Sequence, residues 1–153
     1  MQEQRRGGRI AMSEAERDEF LKTERTCRVA TVDAEGTPHV APLWFVWDGT
    51  SLWLNSLTRS QRWANLVRDP RVSVVIDAGH EFLELCGVEM NGRLEVVGEV
   101  PRTAEPVEQL VEPERLFGEK YAGGTFVPDG RHAWCRLTPE KIVSWDFSKM
   151  VGG

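Results

Sequence analysis

Pro38-His39-Val40-Ala41-Pro42-Leu43-Trp44-Phe45-Val46-Trp47-Asp48-Gly49-Thr50-Ser51-Leu52-Trp53-Leu54-Asn55-Ser56 holds the strongest structural signal in the chain. Its first ten residues are almost wholly apolar, and a run of that length bounded by turn residues reads as a strand buried on both faces for much of its length. Asp48-Gly49 is a dipeptide favoured by two-residue hairpin turns, whose central residues take positive φ. A return strand over 51–56 follows, so an antiparallel sheet is seeded here.

Upstream, Cys27-Arg28-Val29-Ala30-Thr31-Val32 alternates as a strand does, and Asp33-Ala34-Glu35-Gly36 supplies turn chemistry. Ser13-Glu14-Ala15-Glu16 has the form of a capping box and opens a short helix to about residue 22, with Phe20 and Leu21 as its buried edge. Residues 1–12 are expected to be a disordered leader, with Met12 as an alternative start, ahead of a single domain over 13–150.

Downstream, Ser60 N-caps a helix carrying Trp63, Leu66 and Val67 on one face, and Asp69-Pro70 ends it. Strands are predicted over 71–76, over 81–88 and 92–100 as a pair turning at Asn91-Gly92, and over 132–137 and 141–147. Pro106 and Pro113 split 103–121 into two short helices, and 122–131 is a mobile loop. Six or seven antiparallel strands with short peripheral helices make a mainly β (α+β) fold. A closed or partly closed barrel is favoured because closure removes exposed edges.

The 153 residues suit one domain, and 41% hydrophobic with 28% charged residues is ordinary soluble composition. Lys and Arg total 19 against 24 Asp and Glu, a net charge of -5 that argues against nucleic acid as a partner. Cys27, Cys86 and Cys135 are odd in number and far apart, so they read as small buried hydrophobes in a reducing cytoplasm. No apolar run approaches the about 20 residues of a membrane span, and residues 1–10 lack the apolar core of a secretion signal. His39, His80 and His132 have no metal-ligand spacing, no nucleophile elbow or phosphate-binding glycine loop is present, and no catalytic residue stands out. Six Trp against one Tyr ask for a packing or ligand reason: Trp47 and Trp53 go to the core, Trp63 to helix packing, and Trp134 stays unassigned.

Chemistry concentrates in Ser56-Leu57-Thr58-Arg59-Ser60-Gln61-Arg62-Trp63-Ala64-Asn65-Leu66, where a strand end meets a helix start. A helix N-terminus offers unpaired N–H groups and partial positive charge. Ser56, Thr58 and Ser60 can donate to phosphate oxygens, and Arg59 or Arg62 can grip them through two N–H bonds. The alternative is that Ser60 only caps the helix and both arginines point into water.

Four segments in order resemble the pyridoxamine 5′-phosphate oxidase-like split-barrel superfamily, which includes flavin- and deazaflavin-dependent oxidoreductases. They are Arg28-Val29-Ala30-Thr31-Val32, then Gly36-Thr37-Pro38-His39-Val40-Ala41-Pro42-Leu43-Trp44-Phe45, then Ser60 to Leu66 with Asp69-Pro70-Arg71-Val72-Ser73, and finally Thr138-Pro139-Glu140-Lys141-Ile142-Val143-Ser144-Trp145-Asp146. The resemblance implies an FMN-binding split barrel, a homodimer with cofactor sites between subunits, and a small-molecule substrate.

In the family's oxidases a Thr-Asn-x-x-Ser-x-Lys run binds the cofactor phosphate. Ser56 matches the Thr, Ser60 the Ser and Arg62 the Lys, while Leu57 replaces the Asn. The form Ser-x-Arg-x-x-Asn-Leu, with Asn65 as its Asn, is similar to the deazaflavin-dependent actinobacterial branch. By the same resemblance the ring lies on the strand that includes Pro42, Leu43 and Trp44, and Trp44 is divided between that role and barrel core.

The implied activity is hydride transfer between coenzyme F420, favoured over FMN, and a planar or enone-type substrate. F420 has a long acidic tail that Arg59 and Arg62 would serve, with Arg68 or Arg71. The alternatives are a protein that holds FMN, haem or another planar ligand without turnover, and a pyridoxamine 5′-phosphate oxidase-type enzyme.

Overall fold

A computed structural model describes residues 1–151. Ser13 opens α1 (Glu14–Thr23) with the expected capping box: its Oγ accepts from the Glu16 N–H at 3.1 Å, and Glu16 Oε1 accepts from the Ser13 N–H at 2.9 Å. β1 (Thr26–Val32), β2 (Pro38–Trp47) and β3 (Leu52–Leu57) form an antiparallel meander. Then come α2 (Gln61–Arg68), β4 (Arg71–Ala78), β5 (Cys86–Val97), α3 (Val111–Tyr121), β6 (His132–Leu137) and β7 (Lys141–Asp146).

The strand order is β4-β1-β2-β3-β6-β5, and β5 pairs back to β4, so six strands close a barrel; β7 lies outside it, on β5. This is the expected split β-barrel. Two strands span both halves of it. β2 pairs with β1 over residues 38–44 and with β3 over 45–47. β5 pairs with β4 over 86–93 and with β6 over 94–97.

That division corrects the reading of the 38–47 run. Only its last part is core: Phe45 and Val46 are buried, whereas Val40 is 65% exposed and Trp44 46%. Among the described residues, 38–44 have a partner strand on one edge only, which leaves the other edge free. Pro38 and Pro42, which have no N–H to donate, are compatible with such an edge. The hairpin turn is also displaced by one residue. Asp48 N–H donates to Ser51 O at 3.2 Å, the central pair is Gly49-Thr50, and only Gly49 has positive φ.

Asn91-Gly92 is not a turn. Both lie within the single strand β5, and Phe82–Glu84 is a 3-10 turn rather than strand. Gly92 serves close packing: a Cβ there would stand 2.7 Å from Leu137 Cδ1 and 3.2 Å from Thr138 O. The two expected helices over 103–121 are a 3-10 turn, Glu108–Leu110, running into α3. Pro113 falls in the first turn of α3, where the missing N–H would have no intrahelical partner anyway. Val67 is 65% exposed; the buried face of α2 is Arg62, Trp63, Asn65 and Leu66.

Part of the 1–12 segment lies against β7. Gln2 bridges to Lys141, Gln4 exchanges hydrogen bonds with the Ser144 backbone at 3.0 and 2.9 Å, and the Met12 N–H donates to Ser144 Oγ at 2.9 Å. β7 is the end strand of the sheet, and this segment satisfies backbone groups that would otherwise lack a partner.

The barrel interior holds Leu21, Cys27, Val29, Phe45, Leu52, Leu54, Val74, Ile76, Met90, Cys135 and Leu137. A second cluster outside it joins Val46, Trp53, Val97, Leu110 and Trp134 to Phe117, Tyr121 and Phe126. This cluster fixes α3 and the 122–131 loop on the barrel wall. The loop is anchored rather than free, because the Phe126 ring packs 5.6 Å from Phe117 and 5.5 Å from Trp134.

Candidate functional site

Two pockets of unlike character each take a wall residue from the C-terminal part of β3. The first, ≈ 500 Å³, is lined by Leu43 and Trp44 of β2, Asn55 of β3, Phe117 of α3, Phe126 and Val127 of the loop, and also by Arg102, Asp129 and His132. The second, ≈ 450 Å³, is lined by Leu57, Arg59, Ser60, Gly130 and Arg131. Segment 128–132 contributes to both walls: Pro128, Asp129 and His132 line the aromatic cleft, and Gly130 and Arg131 line the cationic pocket.

The aromatic wall is built from α3. Trp44 stacks on Tyr121 with centroids 4.4 Å apart and planes 9° from parallel, and Phe117 lies 6.2 Å from Trp44. Tyr121 is locked by its hydroxyl, which donates to Arg25 O at 2.6 Å or Phe45 O at 2.8 Å. Arg102 also borders the cleft, but its charge is spent on Glu114 at 2.7 Å and Glu99 at 2.8 Å. Asn55 is different: its Oδ1 is buried without a hydrogen-bond partner. A buried acceptor left unpaired costs about 1–3 kcal/mol, so this residue of the cleft wall carries unmet hydrogen-bonding capacity.

In the cationic pocket, Arg59 and Arg131 are exposed and neither has an ion-pair partner among the described residues. Thr58 fixes the junction, its N–H donating to Arg131 O at 3.0 Å and its hydroxyl to the same oxygen at 3.3 Å. Ser60 caps α2, accepting from the Trp63 N–H at 3.1 Å and donating to Leu57 O at 2.9 Å.

The remaining sequence-derived candidates go elsewhere. Arg62 is 6% exposed and Ser56 1%; Arg62 Nε donates to Ser56 Oγ at 3.2 Å inside the barrel. Burial pulls the Arg62 pKa down from its ordinary value. No carboxylate pairs with this guanidinium among the described residues. Asn65 ties α2 to its neighbours, donating to Thr31 Oγ1 at 3.0 Å and accepting from Gln61 Nε2 at 2.8 Å. Pro42 is exposed on β2 outside both pockets, and Arg71 is paired with Asp69 at 2.7 Å. Arg68 donates to Val32 O. The arginines at 59, 62, 68 and 71 therefore do not form one cationic face.

Asn55, Arg131 and the Asp129–His132 pair were not singled out from the sequence. Asp129-Gly130-Arg131 has the composition of an ordinary turn, and only the β3–β6 pairing, Leu57 opposite His132, brings it to the strand end beside Ser60. Trp134, unassigned from sequence, is fully buried beneath the cleft with Nε1 donating to Glu114 Oε2 at 2.9 Å.

The closed barrel, its outlying strand and this pair of pockets define a split-barrel protein with an aromatic cleft and a cationic pocket lined in part by one loop segment. The chain belongs to the pyridoxamine 5′-phosphate oxidase family, whose sequence profile matches residues 13–146. Among solved structures it is similar to a conserved hypothetical protein from Mycobacterium tuberculosis, at 31% identity over 100% of this chain and 98% of that one, TM-score 0.79. It also shares its fold with the haem storage protein HutZ from Vibrio cholerae (21% identity, 88% and 97% covered, TM-score 0.70). An F420 reductase has the same fold (22% identity, 82% and 94% covered, TM-score 0.60). The search of curated proteins found no match. Among the described residues, no helix is long and apolar enough to cross a membrane.

Proposed function

We propose that the protein is a cytoplasmic oxidoreductase that transfers a hydride between coenzyme F420, or alternatively FMN, and a small planar or enone-type substrate. One observation carries this reading: an aromatic cleft and a cationic pocket take their walls from one short segment, 128–132, a placement suited to a flat ring with a phosphate-bearing tail. Asn55, a residue of the cleft wall, has a buried acceptor, Oδ1, without a partner among the described residues, which fits such a ligand.

In this reading Thr58, Arg59, Ser60 and Arg131 hold the tail, with Arg62 supplying positive charge from beneath, and Leu43, Trp44, Asn55 and Phe117 border the ring. The bound cofactor supplies the hydride chemistry, and the chain supplies position and electrostatics. Two exposed arginines without carboxylate partners suit the several negative charges of the F420 tail better than the single phosphate of FMN. The free edge of β2, with Val40 and Trp44 exposed, suits burial in a homodimer.

The test is fluorescence titration with F420 and FMN, followed by oxidation of the reduced cofactor in the presence of cyclic enones and quinones. Saturable binding with acceptor-dependent oxidation supports the reading, and failure to bind either cofactor overturns it. One observation favours a second reading, storage of a planar ligand such as haem. His132 lines the cleft with Nδ1 held by Asp129, leaving Nε2 without a protein partner among the described residues, as in an imidazole able to ligate iron. Haem absorbance that shifts in wild type and not in His132→Ala, with no turnover of the enones, would carry that reading instead.

A further inference from the structure

We propose that His132, oriented by Asp129, is the proton donor of the cleft, and that the substrate is a neutral conjugated carbonyl compound. The inference rests on the oxidoreductase reading above. His132 Nδ1 lies 2.6 Å from Asp129 Oδ2, while Asp129 Oδ1 accepts from the backbone N–H groups of Arg131 at 2.8 Å and His132 at 3.2 Å. The carboxylate is thereby fixed through one oxygen and aligns the imidazole with the other. Burial opposes ionisation of Asp129, but these donors outweigh it and hold its carboxyl below the usual range. With Nδ1 committed, Nε2 is the nitrogen available to the cleft.

Charged neighbours of His132 do not offer a competing donor. Arg131 borders the cationic pocket, and Arg102, whose backbone N–H donates to His132 O at 2.8 Å, is neutralised by Glu99 and Glu114. The other walls are mostly apolar, Leu43, Trp44, Phe117, Phe126 and Val127 among them, with two neutral polar side chains, Asn55 and Thr125. Such walls accept a flat, uncharged molecule and would leave a charged one unsolvated.

A conjugated carbonyl needs both groups. A bound reduced flavin-type cofactor would supply hydride to the β-carbon, the C=C π pair would pass into an enolate, and His132 Nε2–H would give its proton to the α-carbon to yield the saturated carbonyl. The substrate gains two hydrogens, the cofactor is oxidised by two electrons, and solvent returns the proton to His132.

The test compares wild type, His132→Gln and Asp129→Asn. Cofactor affinity is measured by fluorescence quenching, and binding of 2-cyclohexen-1-one by the imidazole nitrogen NMR shifts of His132. Turnover of that enone is then followed across pH. Wild type is expected to lose rate as pH rises in a one-proton limb, because the donor must be protonated. His132→Gln should bind cofactor within twofold of wild type, lose at least tenfold in kcat, and lack the limb. Asp129→Asn should bind cofactor like wild type and lower kcat, since the imidazole loses the oxygen that aligns it. A limb unchanged in His132→Gln, or nitrogens unmoved by the enone, overturns the role of His132 while leaving the oxidoreductase reading in place. Absence of cofactor binding in wild type overturns both.

Discussion

Arg62 Nε donates to Ser56 Oγ across 3.2 Å inside the barrel, and this buried guanidinium has no carboxylate to balance it among the described residues. Removing one partner of a buried ion pair is usually destabilising, but here there is no pair to break. Arg62→Met, similar in length and uncharged, is expected to leave the apparent melting temperature unchanged or raised. The same change should weaken F420 or FMN binding through loss of the positive charge alone, because Arg62 lines neither pocket. Thermal denaturation and cofactor titration on one preparation read both effects. Loss of stability with intact affinity would assign Arg62 to the fold alone.

Asn55 makes a parallel case with a neutral group. Its Oδ1 is buried and unpaired beside the cleft, so Asn55→Val should stabilise the free protein by about 1 kcal/mol while weakening cofactor affinity. Urea denaturation with and without cofactor separates these effects. A destabilised apo protein would mean that Oδ1 is satisfied in solution.

Gly118 sets the distance between α3 and the loop that walls the cleft. A Cβ there would stand 2.9 Å from Phe126 N and 3.0 Å from Gly124 O, both backbone atoms that cannot swing aside. Gly118→Ala should therefore cost about 1–3 kcal/mol of stability through overpacking and displace Phe126 from Trp134. Tryptophan fluorescence and denaturant midpoint check this, and an unchanged midpoint would show that the loop yields freely.

Buried ionisable groups give the stability curve a signature above neutral pH. Burial lowers Lys120 from its ordinary 10.5 to about 8, so the unfolded chain binds more protons between those values and this contribution to stability rises with pH across that window. Burial raises Cys27 and Cys135 from 9.0 to about 12, so their contribution is fully present below pH 9 and is lost as pH rises toward 12. The stability difference between wild type and Lys120→Met should shift in favour of wild type from pH 8 to 10.5. A difference that stays flat over that range would show Lys120 to be solvated.

The sequence revealed the fold best where signals were local. The capping box at Ser13, the N-cap at Ser60 and the strand ends near 132 and 141 depend on neighbours a few residues apart, and all formed. Asn91-Gly92 misled because a glycine needed for packing on Leu137, 45 positions away, looks the same in sequence as one needed for a turn. The exposed half of β2 was hidden for a related reason: apolar residues at a free edge and in a core share one composition. In the site, the Ser56–Asn65 motif pointed to the right strand end. Which of its residues open to solvent was decided by the facing of α2, which turns Arg62 and Asn65 inward and leaves Arg59 out. Arg131 and His132 come from the far end of the chain and reach that place only through the β3–β6 ladder.

The claim that the cationic pocket and aromatic cleft together hold a phosphate-bearing planar cofactor is tested most directly by titrating F420 into wild type and into the Arg59→Ala/Arg131→Ala double variant. Both arginines are exposed, so their loss should leave the fold intact. Saturable fluorescence quenching in wild type, with at least a tenfold weaker Kd in the double variant, is the predicted result. Equal affinity in the two proteins, or no quenching of F420 and no binding of FMN by wild type, would contradict it.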